Sequence, residues 1–216
     1  MFKDRVEAGK ILAKRLKELG SFENSIILAL PRGGVQVAYE VAKRLNLPLD
    51  VIIVRKLGAP LDKEFAIGSL VEGDPEHVIL NEDVIDRLKI DKEYIDEVIT
   101  KERNELYRRK ELYRGTKNIL SKLKDKKVIL IDDGIATGYT IKAAITAIHK
   151  QNPNSIIVAT PVAPNEVIEE LNRLVNQVVV LKTPNPFWSV GIHYEHFNQT
   201  SDTQVLKLLN QLNEKI

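Results

Sequence analysis

The stretch VILIDDGIATGYT, residues 128–140, decides the fold of this chain. Four branched apolar residues run directly into Asp132 and Asp133, and a short loop of small residues follows. A continuous apolar run is typical of a strand that is covered on both faces, and the residues from Tyr139 onward have a helical pattern. The stretch therefore predicts a buried strand, a loop and a helix in direct succession.

Similar short apolar runs recur along the chain and alternate with helical patterns. The further predicted strands are residues 26–30, 51–54, 156–159 and 178–181. The predicted helices between strands are residues 35–45, 139–150 and 165–174. An opening helix at about residues 4–19 and a closing helix from about Ser201 complete the pattern, and Ser201 with Gln204 predicts a capping box. This alternation predicts an α/β fold with a doubly wound parallel sheet.

The middle of the chain, about residues 57–125, interrupts this alternation of strands and helices. It holds a hairpin-like piece at residues 65–80 and a long polar helix at about residues 91–113. We interpret this segment as a lid or insertion between two core strands. The length of 216 residues then fits a single domain over residues 1–216.

Composition excludes several classes of protein. The net charge of +2, from 32 basic and 30 acidic side chains, gives no overall field toward nucleic acid or membrane. The absence of cysteine excludes disulfides, thiol catalysis and cysteine-ligated zinc. The N-terminal residues are charged throughout, and no apolar run approaches the roughly 20 residues of a membrane helix. We expect a soluble, cytoplasmic protein.

The two aspartates lie at the carboxyl end of a predicted strand, where open parallel sheets bind their ligands. The N–H groups of the following loop and helix N-terminus suit a phosphate. Carboxylates beside a phosphate would repel it unless they face another part of the ligand, such as sugar hydroxyls or a magnesium ion. The residues themselves therefore predict a sugar phosphate as the ligand.

Residues 128–140 resemble the 5-phosphoribosyl-1-pyrophosphate (PRPP) motif of the type I phosphoribosyltransferases. The resemblance implies that Asp132 and Asp133 are the catalytic acidic pair and hold the ribose hydroxyls. It also implies that the 5′-phosphate is bound by the loop and the start of the helix, which are Gly134, Ile135, Ala136, Thr137, Gly138, Tyr139 and Thr140.

A second loop, Leu30-Pro31-Arg32-Gly33-Gly34, also follows a strand and opens a helix, and it resembles the family's pyrophosphate loop. The resemblance implies that Arg32, Gly33 and Gly34 bind pyrophosphate and that the Arg32–Gly33 peptide is cis or able to become cis. Arg55 and Lys56, at the end of the next predicted strand, are further candidates for pyrophosphate binding. Cations at a solvated strand end are also common without any ligand.

The segment at about residues 183–200 resembles the variable hood with which family members hold a nucleobase. Phe187 and Trp188 are candidates for stacking on the base, although the same rings could pack the hood onto the core. Family members that recognise 6-oxopurines carry an acidic residue where this chain has Ala136. Hypoxanthine and guanine are therefore expected to be poor acceptors.

The resemblance implies a transferase that moves ribose 5-phosphate from PRPP to a small nitrogenous base and releases pyrophosphate. Mg²⁺ would arrive on PRPP, without a direct metal ligand in the chain. The alternative is a PRPP-sensing regulator of the same fold that has no turnover.

The basic stretch from Lys101 to Lys127 raises the question of a nucleic-acid partner. A solvated helix face is the favoured interpretation of these residues, so neither nucleic acid nor membrane is expected as a partner. The sequence does not determine the oligomeric state, and a homodimer is one of the states that it allows.

Overall fold

The computed structural model describes residues 1–63, 65–73, 75–115 and 120–213 of the chain. The strands in these residues are β1 Ser25–Ala29, β2 Leu49–Val51, β3 Val54–Gly58, β4 Ala66–Val71, β5 His77–Leu80, β6 Lys127–Ile131, β7 Ser155–Val162 and β8 Gln177–Lys182. The α-helices are α1 Arg5–Lys17, α2 Gly33–Leu45, α3 Glu82–Leu88, α4 Lys92–Arg114, α5 Tyr139–His149, α6 Asn165–Asn172 and α7 Asp202–Asn213.

The central sheet has five parallel strands in the order β2-β1-β6-β7-β8. Side chains alternate across it, so Ile27 and Ala29 of β1 pack into the cluster with α1, α2 and α7. Leu28 of the same strand packs into the opposite cluster with α5 and α6. Because both faces are covered, every residue of β1 is buried. The predicted doubly wound α/β fold is confirmed.

The register of the two central strands positions the two loops of interest. β1 and β6 pair in parallel with Ala29 opposite Ile131, so both strands end at the same level. The chain after β1 enters the loop before α2, and the chain after β6 enters the loop before α5. Both loops therefore lie side by side at the carboxyl edge of the sheet.

The predicted strand at residues 51–54 is wrong at its second half. β2 ends at Val51, and Val54 begins β3, which pairs with β4 in a separate three-stranded antiparallel sheet of order β3-β4-β5. The chain changes sheets at Ile53, whose N–H donates to Glu72 Oε1 and whose carbonyl accepts from the Glu72 N–H. Arg55 and Lys56 therefore lie within β3 and not at the end of a core strand.

A buried ion pair connects this second sheet to the long helix α4. Arg114, at the last turn of α4, pairs with Glu72, and each side chain is only 3% exposed. Burial raises the pKa of Glu72. Asp50 of β2 lies 3.6 Å from Arg114 Nε, so the same guanidinium also faces the central sheet. Removal of either partner of such a pair leaves a buried charge without compensation.

The predicted opening and closing helices are confirmed, and their caps explain where they begin. Asp4 caps α1 by accepting from the Glu7 N–H. Ser201 Oγ accepts from the Gln204 N–H while Gln204 Oε1 accepts from the Ser201 N–H, which is the predicted capping box.

The arginines of the basic stretch form ion pairs within the molecule. Arg103 pairs with Glu76, Arg108 and Arg109 both pair with Glu105, and Arg114 pairs with Glu72. Lys117, another cation of this stretch, lies outside the described residues. The described part of α4 thus uses these charges to hold the fold together. Among the described residues, no helix combines the length and the apolar character that crossing a membrane requires.

Asp202, the first residue of α7, joins α7 to α4. Its carboxylate accepts from the Tyr113 hydroxyl at 2.5 Å and from Arg108 at 3.0 Å. Hydrogen bonding by Tyr113 lowers the pKa of Asp202. Hydrogen bonding by Arg108 lowers the pKa of Glu105, the other carboxylate of this contact, to about 2.

Acidification should weaken this contact. A carboxylate whose pKa is lower in the folded state contributes its full stabilisation above the unfolded-state pKa and loses it as the pH falls through the folded-state pKa. The free energy of unfolding should therefore fall from about pH 5 toward pH 2, as denaturant titrations at several pH values would measure. Asp202→Asn should flatten part of this slope. Glu18→Gln, which removes only the exposed pair with Arg15, is the matched control. Equal slopes for Asp202→Asn and wild type would contradict the assignment.

Candidate active site

The loops after β1 and β6 are in direct contact through glycine. A Cβ atom at Gly33 would overlap the carboxylate oxygen Oδ2 of Asp133. A Cβ atom at Gly34 would lie 3.0 Å from the Cα atom and the Oδ1 atom of Asp132. Any larger residue at Gly33 would push against the acidic pair, so the structure brings these predicted site residues together and requires a small residue there.

The two aspartates occupy different environments although they are neighbours in sequence. The Asp133 carboxylate accepts from Arg5 Nε at 2.6 Å, and the Asp133 carbonyl accepts from the Tyr194 hydroxyl. The Asp132 carboxylate instead accepts from the N–H group of Asp133 at 2.8 Å. Both backbone carbonyls thus accept from distant parts of the chain, since the Asp132 carbonyl accepts from the Thr160 hydroxyl of β7 at 3.3 Å. The two carboxylates differ, because that of Asp133 is held by Arg5 and that of Asp132 by its own loop.

This difference affects how readily the first aspartate binds a proton. Burial is the main cause that raises the pKa of Asp132, and the nearby charge of Asp133 raises it further. The positive charge of Arg5 acts in the opposite direction. Burial and the charge of Asp133 also raise the pKa of the Tyr194 hydroxyl, which therefore remains a hydrogen-bond donor at neutral pH.

The loop after the acidic pair leads into α5 in a conformation that only glycine adopts easily. Gly138 caps α5 with a φ angle of +76°, in the left-handed region. Ile135 anchors the loop by donating its N–H to the Val162 carbonyl and by burying its side chain. Ala136 and Thr137 are exposed at the tip of the loop. The free N–H groups of the first helical turn, at Tyr139 and Thr140, then give this end of α5 the character of an anion site.

The predicted pyrophosphate residues are only partly brought together. Gly33 and Gly34 face the acidic pair, but Arg32 Nη1 lies 3.6 Å from Asp202 at the start of α7. Arg55 pairs with Glu102 of α4, and together with Lys56 it lines a separate cavity of about 330 Å³ between β3 and α4. The Arg32–Gly33 peptide is not cis in the structure, and the cis bond lies one residue earlier, at Pro31–Arg32.

One part of the predicted hood, residues 184–188, lies opposite the tip of the loop that follows the acidic pair. A cavity of about 450 Å³ separates the loop tip from the hood. It is lined by Ala136 and Thr137, by residues 164–167 and by residues 184–188. Trp188 is 78% exposed and so is not a core residue, while Phe187 is half-buried and its ring lies 5.4 Å from that of His193. The structure therefore brings both predicted aromatic residues to the same cavity as Ala136.

Sequence reasoning missed Arg5 and Tyr194, which hydrogen-bond to Asp133, and Phe197, which packs on both of them. The guanidinium carbon of Arg5 lies 3.8 Å from the centre of the Phe197 ring, which stacks on Tyr194 at 5.1 Å. One signal was present in the sequence. Arg5 stands at the start of the apolar stripe of α1, in register with Ala8 and Leu12, which are both fully buried. An arginine on such a stripe needs a buried anionic partner.

Comparison with known proteins yields a family match over most of the chain. Residues 4–196 match the model of a family described as phosphoribosyl transferase domain. Two curated proteins of Mycobacterium tuberculosis, from strains CDC 1551 and H37Rv, have names that assign them provisionally to the phosphoribosyl transferases. Each is 40% identical over 211 residues, which cover 98% of this chain and 47% of the relative. The chain thus spans about half the length of these curated relatives.

Solved structures share the same fold. The crystal structure of the protein TT1426 from Thermus thermophilus is 38% identical, with a TM-score of 0.78 and 98% of each chain covered. The AQ2163 protein from Aquifex aeolicus is 14% identical with a TM-score of 0.51, covering 95% of this chain and 84% of its own. The second similarity extends to the fold alone.

The contact between the loop and the hood can be tested at Gly134. A Cβ atom there would overlap a methyl group of Val190 and lie 2.9 Å from Val162 Cγ1. Gly134→Ala should therefore lower the free energy of unfolding by about 1–3 kcal/mol through overpacking. Val190→Ala removes the obstructing methyl groups, so the double variant should lose less than the sum of the two single variants. Denaturant titrations of all four proteins measure this coupling, and strictly additive losses would show that the loop and the hood do not meet there.

Proposed function

Because the chain belongs to the phosphoribosyl transferase family, we propose that it transfers ribose 5-phosphate from PRPP to a nitrogenous base. The observation that carries this proposal is the contact of Gly33 and Gly34 with Asp132 and Asp133 at one edge of the sheet. This contact supports the proposal, because the candidate pyrophosphate loop lies against the candidate ribose site and the candidate phosphate loop follows directly. PRPP has these three parts joined in one molecule.

In this proposal each part of PRPP meets groups of suitable chemistry. The 5′-phosphate lies against the N–H groups of the loop at residues 134–140 and the N-terminus of α5. The ribose hydroxyls donate to Asp132 and Asp133. The pyrophosphate lies beside Gly33 and Gly34, where the absence of side chains lets the backbone come close to the ligand. Arg32, Arg55 and Lys56 remain candidates for pyrophosphate binding, each after release from its present surroundings.

The reaction follows from this placement. The bond between C1 of the ribose and the pyrophosphate oxygen breaks, and pyrophosphate leaves with the bonding electrons. A nitrogen of the base supplies the electron pair of the new bond to C1 and then loses its proton. The chain contributes by positioning and by stabilising charge, because the positive charge that develops on the ribose lies close to the acidic pair. No residue is assigned as general base.

Mg²⁺ enters this proposal as part of the substrate, Mg²⁺–PRPP. The described residues contain no group of three or more histidine, cysteine, aspartate and glutamate side chains arranged to hold a metal ion. Asp133 already pairs with Arg5, which leaves it a poor ligand for a cation of the chain's own. The acidic pair therefore suits the hydroxyl groups of the ribose, and phosphate oxygens of PRPP provide the ligands of the ion.

The acceptor base is assigned to the cavity between the loop tip and the hood. Its volume of about 450 Å³ is sufficient for a nucleobase, and Trp188 provides an exposed aromatic face at its rim. Glu166 lines the cavity, but at the loop tip Ala136 stands where family members that recognise 6-oxopurines carry an acidic residue. We therefore expect hypoxanthine and guanine to be poor acceptors.

The direct test is a screen of nucleobases with Mg²⁺ and PRPP that measures pyrophosphate release. Wild type should release pyrophosphate in the presence of one class of base, and hypoxanthine and guanine should give little release. Asp132→Asn should reduce the rate at least about tenfold, since one charged hydrogen bond is worth about 1.5–3 kcal/mol. PRPP binding without release for any base would favour the regulator over the enzyme.

Trp188 tests the assignment of the base cavity. Trp188→Ala should weaken the acceptor base about tenfold, because a stacking contact contributes about 1–3 kcal/mol. It should leave PRPP affinity and thermal stability nearly unchanged, since the ring is 78% exposed. Trp188→Phe keeps an aromatic face and is the matched control. Calorimetric titration with base and with PRPP measures both affinities. Equal losses for the two ligands in a destabilised protein would mean that the ring packs the hood onto the core.

A further inference from the structure

Arg5 is a buried arginine to which the proposed function assigns no role. Only 6% of the residue is exposed, although it lies in the first turn of α1. Its Nε donates to Asp133 Oδ2 at 2.6 Å, and its Nη1 donates to the Asn198 carbonyl at 2.8 Å. Phe197 covers the face of the guanidinium at 3.8 Å. Hydrogen bonds and an aromatic face thus fix the group in one orientation.

The same guanidinium also reaches the loop on the other side of the acidic pair. A Cβ atom at Gly33 would lie 3.0 Å from Arg5 Nε and would overlap Asp133 Oδ2. Arg5, Asp133 and Gly33 therefore meet at one point. A movement of Arg5 would therefore disturb both the Asp133 carboxylate and the candidate pyrophosphate loop.

The charges around the acidic pair show what Arg5 contributes. The groups that influence Asp132 are Asp133 on its own loop, Arg5 from α1 and the hydroxyl of Tyr194. The tyrosine is neutral, so two carboxylates face one guanidinium. Arg5 opposes the repulsion between the carboxylates.

We propose, on the basis of the function proposed above, that Arg5 is a positioning residue that holds Asp133 in place and lets both aspartates face the ribose as carboxylates. Arg5 itself does not touch the substrate. It acts through Asp133, while Phe197 and Asn198 keep its guanidinium in orientation. The ribose site therefore includes a layer contributed by the first helix and by residues 194–198.

A purely structural role for Arg5 predicts a different set of results. A buried ion pair that only holds α1 to the sheet would change stability and leave the ionisation of Asp132 unrelated to ligand affinity. A positioning role predicts that both change together, and that the effect of Arg5 disappears once Asp133 has lost its charge. A double-mutant cycle separates these cases.

The experiment uses the full chain in the variants Arg5→Gln, Arg5→Lys, Asp133→Asn and the double variant Arg5→Gln/Asp133→Asn. Arg44→Gln is the matched control, because it removes a partly buried ion pair with Glu40 on α2 that does not face the site. Two quantities are measured on each protein. One is the pKa of Asp132 in the ligand-free protein, from the carboxyl carbon signal in an NMR pH titration. The other is the affinity for Mg²⁺–PRPP between pH 5 and pH 9, from calorimetry.

Arg5→Gln should raise the pKa of Asp132 and weaken Mg²⁺–PRPP at least about tenfold at pH 7, with the larger loss at lower pH. Arg5→Lys, which keeps the charge, should recover most of both values. In the Asp133→Asn background the same Arg5 change should alter affinity less than about twofold. Arg44→Gln should match wild type in both quantities. If Arg5→Gln does not fold, Phe197→Leu takes its place, since loss of the ring should still weaken Mg²⁺–PRPP several-fold.

Two failures can be told apart. Absence of Mg²⁺–PRPP binding to wild type would overturn the proposed function, whereas the NMR titration would still decide whether Arg5 controls the acidic pair. Wild-type affinity and an unchanged Asp132 pKa in folded Arg5→Gln would overturn the role of Arg5 and leave the proposed function standing. The same holds for wild-type affinity in Phe197→Leu where that variant replaces it.

Discussion

The parallel pairing of β1 with β6 is the constraint on which the rest of the site depends. The strands end at the same level, with Ala29 opposite Ile131, so the loops that leave them must pass each other within van der Waals distance. Glycine at positions 33 and 34 is what makes that passage possible, because any side chain there would press on the acidic pair. The two loops thus form one unit, and the geometry of either loop depends on the other. A binding site for a ligand with several charged parts benefits from such rigidity, because the cost of ordering the loops has been met during folding.

The wall around this unit comes from parts of the chain that are distant in sequence. α1 provides Arg5, the segment before α7 provides Tyr194 and Phe197, and α7 itself provides Asp202 next to Arg32. By contrast, the insertion with β3, β4, β5 and α4 uses most of its described arginines for internal ion pairs. The insertion is therefore a well-connected layer on the central sheet.

Most of the fold could be predicted from the sequence because its signals are local. Strands buried on both faces read as continuous apolar runs, and caps such as Asp4 and the Ser201–Gln204 box mark helix starts. The same signal failed at residues 51–54, because the apolar run continues unbroken while the chain changes sheets, a change set by hydrogen bonds to the distant Glu72. The acidic pair was found through a contiguous motif. Arg5 was missed because its partners lie 128 and 193 residues further along the chain. The apolar stripe of α1 indicates that Arg5 needs a buried partner, but no local pattern identifies a partner at that separation.

A parallel β-bridge between Phe2 and Tyr194 joins the segment before α1 to the segment before α7, and it can form only late in folding. The central strands can pair once β6 and β7 have been made, but the acidic pair gains its final surroundings only when residues 194–198 reach the first helix. Loop closure over nearly the whole chain is entropically costly and slow compared with local contacts. On the ribosome, β1, β6 and α5 can therefore assemble while the guanidinium of Arg5 still lacks its contacts with Phe197 and Asn198. The candidate site therefore matures after the central sheet, and a chain that stops before residue 194 would carry the sheet without the contacts of Tyr194 and Phe197.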